Sequence, residues 1–410
     1  MSARIDYAPM VAVATVLSFF SNVALYLFEA RITEIPPLWW VAALALLCIP
    51  LMLRYAYELV VPTAPLVLWA FFYCTVSLAW YAAFPPSEAA DAELRRRLLA
   101  IGYLGIVWVV LQHTGALLAA RRTVLAATLV GVCVNGFEFM SPGVFSSVPG
   151  RAAGLYINPN ISGAALVLGM LASSRLLERW PRVIFVVVVG LGVAATLSRA
   201  AMLGWLVVAA SMLAPEARVI GLAKLVGSFA LATLAAGSAI TVVTTWQSVE
   251  QESALAQALA DRFGVFDADQ AGDFSTQERH ELLDDALASA ARRPLVGAGL
   301  GANRFLARET GSHNQYLDHV VQHGVLGMSI LPLLAAALVL GATGEARSDA
   351  LRFAFFMLFW GMFSHNVLDE SPMLTAVVIQ AAIGRESRAS RTRTREWTQA
   401  DYRSPTPSRQ

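Results

Sequence analysis

Long apolar blocks constrain this chain more than anything else in it. About twelve of them approach the roughly 20 residues that a helix needs to cross a bilayer. They fall near 10–28, 37–53, 61–83, 98–118, 123–141, 159–176, 183–197, 200–214, 219–244, 324–341, 352–368 and 372–384, and the 183–214 pair also reads as a tight hairpin. Only 14% of the residues are charged, against 57% hydrophobic. A soluble domain carries about 25% charged residues, so too few remain here to coat a water-facing surface. The first block follows Arg4 without a small-x-small cleavage site, which marks a retained anchor rather than a signal peptide. The expected fold class is an all-α polytopic membrane protein of about 12 transmembrane helices with one larger outer helical loop. Its expected divisions are N-terminal transmembrane helices over 1–245, a loop with short helices over 246–312, C-terminal transmembrane helices over 313–384 and a disordered basic tail over 385–410.

Orientation follows from the distribution of Lys and Arg. With the N-terminus inside, the cytoplasmic segments carry Arg54, Arg121, Arg122, Arg175 to Arg182, Arg218 to Lys224, Arg347 and Arg352. The tail adds Arg385, Arg388, Arg391, Arg393, Arg395, Arg403 and Arg409. The 246–312 segment then lies outside, with eleven acidic residues against six arginines. Arg95, Arg96 and Arg97 fall on the outer side against the rule, so either the helix count slips there or they serve function. Cys48, Cys74 and Cys133 sit in apolar runs with neither metal nor disulfide spacing, and read as small core residues.

Two polar stretches on the outer side carry chemistry. Ser275-Thr-Gln-Glu278 is a capping box for a helix that Arg292-Arg293-Pro294 ends. Leu282, Leu283, Ala286, Leu287 and Ala290 form its apolar stripe, and Arg279 lies on that stripe one turn from the N-terminus. An inward arginine beside a positive helix end suits an anion; a headgroup contact is the plainer reading. Gly297-Ala-Gly299-Leu-Gly301 lacks the spacing of a dinucleotide fingerprint and reads as a flexible turn at the membrane surface. Ser312 with Gln315 reads as a second capping box, making His313 the first residue of a helix. There the dipole disfavours imidazolium and keeps a neutral nitrogen free as a base.

Arg199 interrupts an apolar run from Val183 to Ala214. An arginine near membrane depth is a functional hypothesis by default, the alternative being a short turn at headgroup level. Arg151 poses the same choice in the Gly/Pro/Asn-rich loop Pro149–Asn160. His319 and His323 stand one turn apart, but no third zinc ligand is evident, so helix-face packing is the stronger reading. Ser364-His365-Asn366 with Asp369 and Glu370 echoes Ser312-His313-Asn314 with Asp318 at another outer helix end. His365 and Asn314 are therefore candidate acceptor-site or supporting residues, as are Arg95, Arg96 and Arg97. Asp267, Asp269 and Asp273 lack the twelfth-position glutamate of a calcium loop and read as solvated. No metal and no cofactor is expected.

Taken in order, Arg151 to Asn160, Ser198-Arg199-Ala-Ala-Met-Leu203, Arg279 with its helix and Gly-rich turn, and His313-Asn-x-Tyr-Leu with Gly324 resemble the bacterial O-antigen ligase and polymerase family. The family's Arg-x-x-x-Leu element is matched by Arg199–Leu203 and again by Arg279–Leu283, and its His followed by Gly eleven positions later by His313 and Gly324. Gln322-His323 departs from members that carry an acidic residue there. The resemblance implies a GT-C-like glycosyltransferase of the inner (cytoplasmic) membrane in lipopolysaccharide or surface polysaccharide biosynthesis. It would move a saccharide from undecaprenyl diphosphate to an acceptor hydroxyl at the periplasmic face. Its partners would be that donor, a lipid A core or glycan acceptor and the bilayer, with no nucleic acid. Arginine forks would hold the diphosphate as its charge develops, with Arg199, Arg279 and Arg151 in that role and His313 as base. Polymerase and protein glycosyltransferase differ from ligase only in acceptor. A lipid-linked saccharide transporter is the rival class, but it would show internal repeats and charges through the midplane, and neither is found.

Overall fold

The computed structural model describes residues 6–57, 64–148, 150–213, 284–302 and 314–403. No strand occurs among the described residues. The helices are α1 (Ala8–Thr15, continued by a π turn over Val16–Phe20), α2 (Val23–Glu29), α3 (Pro37–Tyr57), α4 (Pro65–Ala83), α5 (Glu88–Val110), α6 (Ala116–Met140), α7 (Pro159–Ser173), α8 (Arg179–Ala195) and α9 (Arg199–Leu213). After them come α10 (284–292), α11 (Gln315–His323), α12 (Ile330–Leu340), α13 (Gly344–Gly361) and α14 (Ser371–Arg403).

Among the described residues four helical stretches are long and apolar enough to cross a bilayer: Pro37–Tyr55, Pro65–Ala83, Ala116–Met140 and Gln315–Leu340. The bent pair Ala8–Phe20 and Val23–Glu29 makes five if it is one span. The chain is thus a multi-pass helical membrane protein. The expected count of about twelve is larger partly because the block 219–244 lies outside the described residues, and partly because α7, α8, α9 and α12 are 15, 17, 15 and 11 residues long. In addition, α5, α13 and α14 carry charged turns at one end.

Burial sorts the helices into centre and rim. In α7, Ser162 through Ser173 are buried on every face, as are Met373 through Gln380 in α14. Helices apolar and buried all round form the core. By contrast, Trp39, Leu46 and Leu53 of α3 are 65–67% exposed, which fits a lipid-facing rim. Cys48 is buried as expected, whereas Cys133 is exposed on α6. α14 runs on to Arg403, into the basic 385–410 segment, whose last residues lie outside the described ones. A helix already nucleated in the core extends without a new nucleus, and 385–403 contains neither Gly nor Pro to stop it.

Antiparallel connections gather two ends. At one, Arg175 pairs with Asp349 and Glu345, Arg352 with Asp349 at 2.8 Å, and the Arg121 Nε–H donates to the Ala172 carbonyl at 3.0 Å. At the other lie the α4–α5 turn, the 141–158 connection, the α8–α9 turn and the 362–370 connection. Hydrogen bonds from Asn22 to Leu155 (3.2 Å) and from Ser371 to Phe19 (3.1 Å) tie these together. Buried charged side chains, among them Glu93, Arg97, Glu138 and Arg151, collect toward this second end, here the polar end.

The stretch Gln315–Leu340 is not one straight rod. His319 packs on Tyr73 and His323 on Trp80, so α11 rises alongside α4. The Trp69 indole then donates to the Ile330 carbonyl at 2.9 Å, deeper on α4 than either histidine contact. The chain therefore climbs to Gly324, reverses and descends into α12. Gly324 makes the reversal with φ +64 and ψ −152, a backbone region open essentially to glycine alone.

Candidate functional site

The first turn of α11 differs from the sequence expectation. Asn314, not Ser312, is the N-cap; its side chain accepts from the backbone N–H of Tyr316 at 3.0 Å and of Leu317 at 3.1 Å. Gln315 does not close a capping box. Its Oε1 instead accepts from the Val367 N–H at 2.9 Å, and its Nε2 lies 3.1 Å from His319 Nε2. Asparagine is at least as good a cap as serine, and Gln315 is drawn into the bundle, 2% exposed. His313 thus precedes the cap rather than opening the helix. Its own placement, like that of Arg279, lies outside the described residues.

Arg199 is the first residue of α9 and is exposed. Arg151 is buried in the adjoining loop, donating from Nε to the Thr196 carbonyl at 3.1 Å and from Nη2 to Asn160 Oδ1 at 2.9 Å. Both stand at the polar end. The end of α13 lies between α9 and α11: a Cβ on Gly204 of α9 would meet Phe356 and Phe359, while Gly361 abuts Tyr316 and Gln315. The Tyr316 hydroxyl also donates to the Leu358 carbonyl at 2.9 Å. One helix end therefore separates Arg199 from the Asn314 cap.

The three arginines of α5 divide by helical periodicity. Glu93, Arg97, Ala100 and Leu104 lie on the buried face, Arg95 is exposed and Arg96 is half-buried. Arg97, 0% exposed, bonds Glu93 Oε1 (2.9 Å), Gln322 Oε1 (2.7 Å) and His323 Nε2 (2.6 Å) and stacks on the Tyr73 ring. Arg96 pairs with Glu93 and, at 3.2 Å, with Asp369. An arginine has no acceptor, so His323 receives at Nε2 and carries its proton on Nδ1. The same logic fixes His319, because the Gln315 amide is oriented by Val367. With Arg97 against His323, the histidine pair does not present a cation site. Among the described residues no group of three His, Cys, Asp or Glu side chains is arranged to hold a metal.

In the 362–370 connection, Asn366 Nδ2 donates to Glu370 Oε1 at 3.3 Å. Burial, with Asp369 beside it, pushes the Glu370 carboxyl up to about 7. His365 is half-buried in the same connection, whose backbone Gln315 engages at Val367.

The Gly-rich turn is a second correction, since it is held at both sides rather than loose. Gly297, Gly299 and Gly301 have φ of +70, +100 and +76. The N–H groups of Ala298 and Gly299 donate to the Val321 and Gln322 carbonyls at 2.8 and 3.2 Å, and that of Gly301 to Gln322 Oε1 at 3.2 Å. These donors are spent on α11, so the turn is no anion cradle. The preceding helix ends at 292 as expected. Of its apolar stripe, Ala286 packs with Leu317 and Val321, whereas Leu287 is 51% exposed.

Residues 184–332 match the family model described as O-Antigen ligase. The match supports assignment to the O-antigen ligase and polymerase family. That segment runs from α8 into the start of α12 and contains Arg199, Arg279, His313 and Gly324. Arg151, the α5 arginines and His365 lie outside it. No curated protein matches the chain.

Sequence reasoning missed Glu138. It is 1% exposed in the last turn of α6 and receives four backbone N–H groups of the loop that carries Arg151. A lone carboxylate in an apolar block was the signal available. Glu93, a partner of Arg97, was likewise not singled out.

Proposed function

We propose that the chain is an inner-membrane glycosyltransferase of the O-antigen ligase type, moving a saccharide from an undecaprenyl diphosphate carrier to an acceptor hydroxyl at the periplasmic face. The observation that supports this reading is that Arg151 bonds the α8–α9 turn next to Arg199, at the end of the bundle where the α6–α7 and α13–α14 connections also lie. In the reaction the acceptor oxygen attacks the anomeric carbon, the bond from that carbon to the diphosphate oxygen breaks, and the diphosphate leaves. His313, next to the Asn314 cap, takes the acceptor proton. Arg199, Arg279 and Arg151 stabilise the charge gathering on the diphosphate, the task a divalent ion performs in other transferases. Sidedness is supported by the opposite end, where Arg121, Arg175 and Arg352 collect as cytoplasmic arginines do.

The test uses the full chain in nanodiscs with an undecaprenyl-diphosphate-linked saccharide and a lipid A core acceptor. Transfer is expected in excess EDTA and is expected to vanish in His313→Ala at normal expression. Undiminished transfer by His313→Ala removes the base role. Loss on chelation with recovery in Mg²⁺ or Mn²⁺ removes the arginine-based scheme and makes Asp267 and Asp269, outside the described residues, the first to mutate. A polymerase would instead extend a carrier-linked glycan and ignore the lipid A core.

A further inference from the structure

Glu138 sits where α6 leaves the bundle at the polar end. Its Oε1 accepts from the N–H groups of Phe145 (2.8 Å) and Ser146, and its Oε2 from those of Ala153 (2.7 Å) and Gly154 (2.8 Å). The four donors come from both arms of the 141–158 connection, so one carboxylate pins the loop's outgoing and returning chain. Burying a carboxylate is costly unless the charge is met. Here the charge is met by converging backbone N–H groups, an arrangement that binds anions wherever it occurs.

The loop needs such a pin. Ile157 sits at φ +64, a region that β-branched residues avoid, and Gly154 at φ +52 leaves no room for a Cβ beside Asn135. Ser147 and Ile157 are joined by an N–H to carbonyl bond of 3.2 Å across the two arms. Between the pinned pairs stands Arg151, and Ala152 N–H reaches the Ala195 carbonyl at 3.2 Å. Whatever fixes residues 145–146 and 153–154 therefore fixes where the Arg151 guanidinium meets the α8–α9 turn, one step from Arg199.

We infer that Glu138 is a positioning residue: its carboxylate holds the 145–154 loop closed and thereby sets Arg151 for the donor diphosphate. The second half of this statement rests on the proposed function; the first does not. Glu138→Gln keeps the shape but replaces one acceptor oxygen by a donor, so two of the four bonds are lost. Two readouts on the full chain in nanodiscs decide the matter. Amide hydrogen exchange of 145–154 is expected to speed up roughly ten- to hundredfold in Glu138→Gln, the scale of losing hydrogen bonds to a charged group, with α7 unchanged. KM for the undecaprenyl-diphosphate donor is expected to rise about tenfold with kcat within about twofold, and Glu138→Gln added to Arg151→Ala to raise it no further, since coupled residues are non-additive.

A merely structural role would lower the active fraction and leave KM alone. Unchanged exchange overturns the loop pin; faster exchange with unchanged KM overturns the link to the donor. If wild-type protein transfers nothing, the proposed function fails, and the exchange result still decides the pin. Should Glu138→Gln not accumulate as folded protein, Glu138→Asp keeps the charge and withdraws it by one methylene, and is expected to shift both readouts in the same direction by less.

Discussion

Replacing Gly324 by alanine tests the reversal at the top of α11 through two separable penalties. The backbone there, φ +64 and ψ −152, costs a non-glycine residue about 1–3 kcal/mol. A Cβ would also run into the carbonyl group of Leu295 and stand 2.6 Å from the Val296 nitrogen. Those are backbone atoms held by the bond from the Val325 N–H to the Pro294 carbonyl (2.8 Å). Forcing such a site open costs about 1–3 kcal/mol more. Gly344→Ala isolates the first penalty, since φ is +57 and nothing lies within 4 Å of the added carbon; about 1–2 kcal/mol is expected. Gly102→Ala carries neither, has nothing within 4 Å, and should gain up to about 1 kcal/mol from helix propensity. Thermal unfolding of the three variants in nanodiscs should rank them Gly102→Ala above wild type, then Gly344→Ala, then Gly324→Ala lowest. A Gly324→Ala melt at or above that of Gly344→Ala would refute the close approach of the 295–302 turn to α11.

Arg97→Leu takes from buried Glu93 one of its two arginine partners and from Gln322 and His323 their shared donor, and should destabilise the fold by about 3 kcal/mol, whereas Arg95→Leu, exposed on the same helix, should stay within about 0.5 kcal/mol; equal melting temperatures would discard the buried network. Glu370 predicts a pH dependence: with its folded pKa raised to about 7, the folded state holds a proton that the unfolded chain has released, so this contribution is full below the ordinary glutamate pKa and is lost as pH rises through about 7. The melting temperature of Glu370→Gln should therefore gain on wild type between pH 5 and 8, and a constant difference speaks against the shift. Arg199→Lys with Arg279→Lys keeps charge but removes the bidentate forks, so turnover should fall by at least tenfold; full activity in the pair means that neither reads the diphosphate.

Much of the bundle is legible in the sequence because lipid demands long apolar blocks. What local hydropathy does not carry is where a block breaks. The run 324–341 reads as one span, yet its first residues fold back on α11, since Gly324 is gripped by a turn whose own residues lie about 30 positions earlier. The cap at Asn314 rather than Ser312 was lost for a similar reason: Gln315 is claimed by Val367, a partner no short window contains. The α5 arginines violated the charge rule, and their four-residue spacing from Glu93 to Arg97 marked the buried face. Glu138 was hidden because a window average dilutes one carboxylate among apolar neighbours.

The interval between the Asn314 cap and Gly324 acquires a physical meaning from α11. The helix is nine residues long, about 13.5 Å at 1.5 Å per residue, with an asparagine cap at one end and a glycine-only reversal at the other. Its buried face carries Gln315, His319, Gln322 and His323, tied to the 362–370 connection at the bottom and to Arg97 and the 297–301 turn at the top. Adding or removing one residue would rotate one end against the other by about 100°. Either the cap would leave Val367 or Gly324 would leave Leu295. The spacing therefore works as a ruler: it sets the height and the azimuth of the Asn314 cap relative to the Gly324 reversal, and its glycine is required because the ruler is clamped there by backbone.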